Sequence, residues 1–342
     1  MDITKKIDII KLPPTNEVIT DIELLELLKT NNQPKHYIGL EISGFLHLGS
    51  LILIGFKVND FIQAGIKCNI FLADWHTLIN DKIGNLSEIT KISKYYEKAF
   101  NIVCPEAKII LGSDFYRTQS EYWLDLVRLT KNLSLPRAIR TITIMGRSEK
   151  EKIDVAKLLY SSMQATDIHA LDIDIAHSGM DQRKIHMVVR EIFPKLNWKK
   201  PIAVHHQILS SLKLSKLSNV NKMSKSDINS GIFIHDSDNL IKSKIKRAWC
   251  ESGNIISNPL LEIMKNIIFH EFSEIIIERP IKFGGNITYY NYEEMEIDFA
   301  EKKIHPMDLK SSTCYYLLKI IQPIRNKLKL DQDIIEIINK NY

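Results

Sequence analysis

Hydrophobic positions along this chain change period several times, and each change predicts an element. Leu51, Ile54, Val58, Phe61 and Ile62 recur three or four residues apart, which predicts a helix over 51–64 that Gly65 stops. Just ahead of it a β-type run begins at Tyr37-Ile38-Gly39 and breaks at Ser43-Gly44. Strand, glycine-bearing turn and helix make the first half of a βαβ unit. The apolar run 67–73 predicts a buried strand with Asp74-Trp75-His76 at its carboxyl end. Ile89, Ile92, Tyr96, Ala99 and Phe100 place a helix over 87–103, and 108–111 form a short strand closed by Gly112. Strands alternating with helices predict an α/β fold with a Rossmann-like, doubly wound parallel sheet.

Further along, a helix over 154–171, a short strand at 173–176 and a turn at Gly179-Met180-Asp181-Gln182 into a helix reaching Glu191 extend the pattern. Residues 115–150 are less regular, and on charge alone Arg137, Arg140 and Arg147 suit a solvated surface helix. Beyond residue 232 the pattern turns helical. Ser237 can cap a basic helix carrying Lys242, Lys244, Lys246 and Arg247, and helices are expected over 258–272 and 310–328. Two domains follow, 1–231 with an α/β sheet and 232–342 as a small α-helical bundle.

Composition narrows the class. At 44% hydrophobic and 25% charged, 342 residues can bury a sizeable core. The balance of 46 basic against 41 acidic residues permits a polyanionic partner without requiring one. Cys68, Cys104, Cys250 and Cys314 form no C-x-x-C pair, so neither zinc nor a disulfide framework is expected. No apolar run has the length of a membrane span and no signal-peptide core opens the chain; a cytoplasmic protein is expected.

The candidate chemistry sits at strand-to-helix turns. There free backbone N–H groups and the helix dipole favour an anion, and Gly44 and Gly49 around His47 allow close approach. By itself this pattern fits many turns and a structural histidine. Tyr160, Gln164 and Asp167, spaced i, i+4 and i+7, share one face of a largely apolar helix. Such a buried polar stripe must be hydrogen-bonded, by a protein network or by a ligand. Lys222-Met223-Ser224-Lys225-Ser226 is a polar loop.

Taken together, His47-Leu48-Gly49-Ser50 and Lys222-Met223-Ser224-Lys225-Ser226 resemble the two signature sequences of class I aminoacyl-tRNA synthetases. Tyr37-Ile38-Gly39, Tyr160-x-x-x-Gln164-x-x-Asp167 and 179–187 resemble the tyrosyl-tRNA synthetases of archaeal and eukaryotic type, from about residue 20 to the carboxyl terminus. The resemblance implies that L-tyrosine is activated by ATP, as its Mg2+ complex, and passed to tRNA(Tyr) by a homodimer. Tyr37 and Asp167 would bind the phenolic hydroxyl; Tyr160, Gln164 and Gln182 would hold the α-amino group, with Gly39 and His76 lining the pocket. His47, Lys222 and Lys225 would serve the phosphates with Gly44, Gly49, Ser50, Met223 and Ser224, and Gly179 and Asp181 the ribose. Arg140, Arg183 and Lys184 would contact the tRNA acceptor end, and Phe283 and Asp308 the anticodon. The segment 115–150 would form the dimer contact and 218–228 the phosphate loop. Ser50 departs from the second histidine of the first signature, and Ile42 from proline. Two alternatives are the tryptophan-specific sister enzyme, against which Tyr37 and Asp167 argue, and a catalytically silent RNA-binding paralogue, against which His47, Lys222 and Lys225 argue.

Overall fold

The computed structural model describes residues 1–146, 154–213, 223 and 229–341. The chain folds as two compact units, one of residues 1–43, 57–207 and 330–342, the other of 44–56 and 208–329. In chain order the elements up to residue 206 are α1 (Ile3–Lys11), β1 (Thr15–Ile19), α2 (Asp21–Thr30), β2 (Lys35–Leu40), α3 (Leu53–Gln63), β3 (Lys67–Leu72), α4 (Asp74–Ile79) and α5 (Leu86–Val103). These are followed by β4 (Lys108–Leu111), α6 (Gly112–Thr118), α7 (Tyr122–Thr130), α8 (Leu135–Thr141), α9 (Val155–Ala170), β5 (Ile175–Gly179), α10 (Arg183–Ile192) and β6 (Ile202–His206).

The six strands lie in the order β1-β6-β5-β2-β3-β4. All neighbours are parallel except β1, which runs antiparallel to β6 along one edge. From β2 the chain winds outward through β3 and β4, then crosses back to β5 and β6. The order therefore reverses between β2 and β5, where α/β sheets place ligands beyond the carboxyl ends of their strands. Glu41 follows β2 and Asp181 follows β5 at that point.

Several elements differ from expectation. β1 and β6 were not visible in the pattern, because β1 is polar and β6 ends in His205-His206. The strand expected over 173–176 begins at Ile175, since Asp172 turns with φ 53° and the Asp174 carboxylate accepts the N–H of Lys35 at 2.8 Å. Residues 115–146 are not irregular but helical, and α7 buries Tyr122, Leu126 and Leu129.

In the second unit α11 (Asp238–Arg247) is capped by the Ser237 hydroxyl, which accepts the N–H of Leu240 at 3.2 Å. The helix expected over 258–272 is divided into α12 (Pro259–Ile263), a wide turn at Met264–Ile268 and α13 (Phe269–Glu271). A hairpin of β7 (Ile275–Ile277) and β8 (Ile287–Tyr289), α14 (Tyr292–Ala300) and α15 (Pro306–Lys327) complete it. The last helix, α16 (Gln332–Asn341), belongs with the first unit rather than with this bundle. Ile334, Ile337 and Ile338 give it a buried face, and Asp331, Asp333 and Lys340 reach Lys98, Lys91 and Glu88 of α5.

Candidate active site

At the carboxyl end of β2, Tyr37, Gly39 and Glu41 follow one another on one face, as strand alternation requires. The buried ring of Tyr37 folds back over Gly39, so a Cβ there would stand 2.3 Å from the phenolic oxygen. Only glycine leaves that room. α9 crosses this strand end with its polar face inward, and Asp167 on it is fully buried.

Phenols surround Asp167. Tyr122 donates its hydroxyl to Oδ1 at 2.7 Å, Tyr116 donates to Oδ2 at 3.4 Å, and His76 Nε2 lies 3.8 Å from Oδ2. Burial pushes the carboxyl up to about 8, outweighing the two phenol donors, which pull it down. For Tyr37, burial first and then the charge of Asp167 raise the phenol well above its ordinary value. Burial holds His76 down at about 4, so its ring is neutral at pH 7. It packs edge-on against Tyr160, ring centroids 4.7 Å apart.

A second group lies beside the first. Tyr160 donates its hydroxyl to Glu41 at 2.8 Å, and the Glu41 carboxylate also accepts from Asn80 at 2.7 Å. Gln164 donates to the Gln182 side-chain oxygen at 3.4 Å, while Gln182 donates to the carbonyl of Ile144 at 2.8 Å. The helix stripe and the turn after β5 are thus brought together. Among the described residues, Asp74 Oδ2, both ring nitrogens of His76 and Gln164 Oε1 are buried without a hydrogen-bond partner. Buried polar atoms in native folds are satisfied; these four lie on α4 and α9, and a polar ligand there would complete their bonds.

Within the second unit, His47 opens a wide helical turn, Leu48–Ile52. Its ring Nδ1 accepts the N–H of Gly49 at 3.1 Å, and Ser50 Oγ accepts the N–H of His47 at 2.9 Å. The reciprocal cap explains what a serine does at position 50: it closes the turn that aims His47. With Nδ1 an acceptor, the proton of the neutral ring sits on Nε2, which is then the donor. Gly44 turns the chain ahead of it with φ 71°. Met223 is buried and donates its N–H to the carbonyl of Leu209 at 2.9 Å. Lys222, Ser224 and Lys225 lie outside the described residues.

The residues expected at tRNA are separated by environment. Arg140 is exposed on α8 and Lys184 on α10, where its ammonium donates to Thr143 at 3.0 Å. Arg183 grips Glu17 with two nitrogens, at 2.8 and 3.0 Å, so part of its charge is already engaged. Phe283 is 62% exposed between β7 and β8, with the Lys282 ammonium 4.9 Å over its ring, and Asp308 is half-buried in the first turn of α15. Sequence reasoning placed Asp74 at a strand's carboxyl end but missed Glu41, Tyr116 and Tyr122. Glu41 could have been found from its alternation with Tyr37 and Gly39. Tyr116 and Tyr122 belong to helices whose packing on α9 no local pattern shows.

Comparisons with known proteins give the family. Residues 29–320 match the family model described as tRNA synthetases class I (W and Y). A tyrosine–tRNA ligase of Thermococcus sibiricus is 41% identical over 99% of this chain and 98% of its own. The crystal structure of a tyrosyl-tRNA synthetase complexed with L-tyrosine from Pyrococcus horikoshii covers 99% of this chain and 100% of its own at 38% identity, with a TM-score of 0.93. That of Archaeoglobus fulgidus, also complexed with L-tyrosine, covers 96% of this chain and 100% of its own at 35% identity and a TM-score of 0.89. This chain belongs to the class I tRNA synthetases, in the group that serves tryptophan and tyrosine.

Proposed function

We propose that the chain is a tyrosine–tRNA ligase: it joins L-tyrosine to ATP as tyrosyl-adenylate, releasing pyrophosphate, and passes the tyrosyl group to the terminal adenosine of tRNA(Tyr). The observation that carries the choice of tyrosine is the buried carboxylate of Asp167 ringed by phenols beside unsatisfied His76. A tryptophan indole offers one N–H donor and nothing for a donor to reach. A substrate phenol can donate to Asp167 and accept from Tyr37. Phenylalanine would leave these groups unpaired, which penalises it by ~10⁴–10⁵ without any editing step.

Tyr160, Gln164 and Gln182 hold the α-amino group, and the Glu41 carboxylate that orients Tyr160 favours its positive charge. The tyrosine carboxylate then attacks the α-phosphorus of ATP in line with pyrophosphate. Positioning and charge stabilisation do most of the work in such a step. His47 donates from Nε2 to the developing phosphate charge, Lys222 and Lys225 neutralise the leaving pyrophosphate, and Gly179 and Asp181 seat the ribose. ATP enters with its magnesium ion, held by phosphate oxygens and water. Among the described residues no cluster of histidine, cysteine or carboxylate groups suits a resident metal.

Residues 232–329 serve as the anticodon reader, with Phe283 stacking on a base and Asp308 accepting from its edge. Trp123, Leu124 and Val127 project apolar surface from α7 and are the homodimer contact. No described helix is long and apolar enough to cross a membrane, and a tRNA substrate suits an enzyme of the cytoplasm. Incubating the protein with ATP, Mg2+, bulk tRNA and labelled amino acid tests the reading. Tyrosine should give alkali-labile label on tRNA; label from tryptophan, or from neither, would overturn it.

A further inference from the structure

Three buried histidines form a line across the sheet of the first unit that the chemistry above does not use. His36 on β2, His177 on β5 and His206 on β6 stand on successive strands. Nε2 of His36 lies 3.0 Å from Nδ1 of His177, and Nε2 of His177 lies 2.8 Å from Nδ1 of His206. Phe61 packs on the first two, ring centroids 4.5 and 5.3 Å away. Burial holds all three far below the ordinary imidazole value, His36 at about 3 and His206 at about 4, so each is neutral at pH 7. A neutral imidazole has one N–H and one bare lone pair. Two hydrogen bonds in series therefore allow two arrangements. Either every ring carries its proton on Nε2, or every ring carries it on Nδ1.

The charges at the two ends select between them. Lys57, buried and donating to the carbonyls of Ile9 and Leu12 and to Asp60, acts on His36. His36 Nδ1 is buried and takes no hydrogen bond, and near a cation a bare lone pair there is favoured over an N–H. Asp181 acts on His206 at the other end, where a carboxylate favours an N–H on the outer nitrogen. Lys57 acts also on His177 and His206, and the remaining titratable neighbours are His186 and His205, both held below their ordinary value by burial, with Nδ1 of His205 turned to Glu17 at 2.9 Å. Both ends thus select the arrangement with every proton on Nε2.

His206 is the register partner of Gly179 on the neighbouring strand, two residues before Asp181. We propose that His206 presents its Nε2–H to the ribose end of bound ATP, and that His177 and His36 are positioning residues that fix this tautomer from within the sheet. The proposal rests on the assignment of Gly179 and Asp181 to the ribose.

Two measurements on the full chain test it. Two-bond nitrogen–proton correlation spectra of ¹⁵N-histidine-labelled protein should show protonated Nε2 and bare Nδ1 at all three rings. Losing one neutral hydrogen bond, His206→Leu should raise the KM for ATP roughly tenfold in tyrosine-dependent pyrophosphate exchange. The KM for tyrosine should stay within about twofold, as for a site with no shared partner. His206→Gln, which keeps an amide donor, should recover most of the ATP affinity. His177→Leu should raise the KM for ATP as well, by releasing the tautomer. Nδ1 protonation of the three rings, or an unchanged KM for ATP in an active His206→Leu, overturns the proposal. Absence of tyrosine-dependent exchange in the unaltered protein would instead defeat the ligase assignment, while the spectra, which need no turnover, still decide the relay.

Discussion

Replacing Asp167 by asparagine removes the titratable carboxyl that the pocket is built around, while the side chain keeps its size. In the unaltered protein Oδ1 accepts from Tyr122 at 2.7 Å and Oδ2 faces Tyr116 at 3.4 Å and His76 at 3.8 Å. In an assay at about pH 9, above the value of about 8 at which this carboxyl titrates, a substrate phenol donating to Oδ2 makes a hydrogen bond to a charged group, worth about 1.5–3 kcal/mol. Asparagine retains one acceptor oxygen, which Tyr122 occupies, and turns an NH2 toward the substrate. The kcat/KM for tyrosine in pyrophosphate exchange should therefore fall about 10- to 150-fold. Phenylalanine, which never made the bond, should be used no worse, so discrimination falls by the same factor. Stability offers an independent reading. The carboxyl titrates at about 8 in the fold, against about 4 in an unfolded chain. Between those values the folded state keeps a proton that the unfolded state has lost. Stability therefore falls as pH rises, by about 1.4 kcal/mol per unit from this group alone. Asparagine removes that slope, so urea unfolding should show Asp167→Asn gaining on the unaltered protein from about pH 5 to about pH 8. An undiminished kcat/KM for tyrosine in a folded variant would refute the pocket assignment; parallel pH profiles would refute the raised titration of the buried carboxyl.

Gly39→Ala drives a methyl to 2.3 Å from the Tyr37 hydroxyl. The buried ring must shift, at a cost of about 1–3 kcal/mol, and the KM for tyrosine should rise with little change in that for ATP; equal changes in both would argue against it. Lys57→Met takes the buried ammonium away from Asp60 and from the carbonyls of Ile9 and Leu12. Breaking a buried pair from one side costs about 3–5 kcal/mol, so chemical denaturation should register a loss of that size, and Lys57→Met with Asp60→Leu should recover most of it. Phe283→Ala removes an exposed ring distant in sequence from the tyrosine pocket. Tyrosine-dependent exchange should persist, while the KM for tRNA rises by the equivalent of about 1–3 kcal/mol of lost stacking; an unaffected aminoacylation rate would remove Phe283 from the anticodon contact.

How far the sequence reached depended on whether a signal was local. The helical face of Tyr160, Gln164 and Asp167 followed from spacing, and the fold buries Asp167 and turns that face toward β2 and the turn after β5. Strands β2 to β4 stood out as apolar runs between helices. β6 did not, because a strand of five residues ending in two histidines matches neither alternation nor a hydrophobic run. Its histidines are tolerated because His177, His186 and Glu17 on neighbouring elements share their ring hydrogen bonds. Likewise Tyr122 looked like one aromatic among many; its role depends on the packing of α7 against α9, a contact between residues 45 positions apart. The serine at position 50 was a departure in the signature, and only the backbone showed it closing the cap on His47.

The central claim is that the pocket around Asp167 selects tyrosine for adenylation. Exchange of labelled pyrophosphate into ATP, run without tRNA in the presence of tyrosine, tryptophan or phenylalanine in turn, measures this directly. The account predicts rapid exchange with tyrosine and kcat/KM lower by ~10⁴–10⁵ with phenylalanine; exchange driven by tryptophan, or none with any of the three from folded protein, would contradict it.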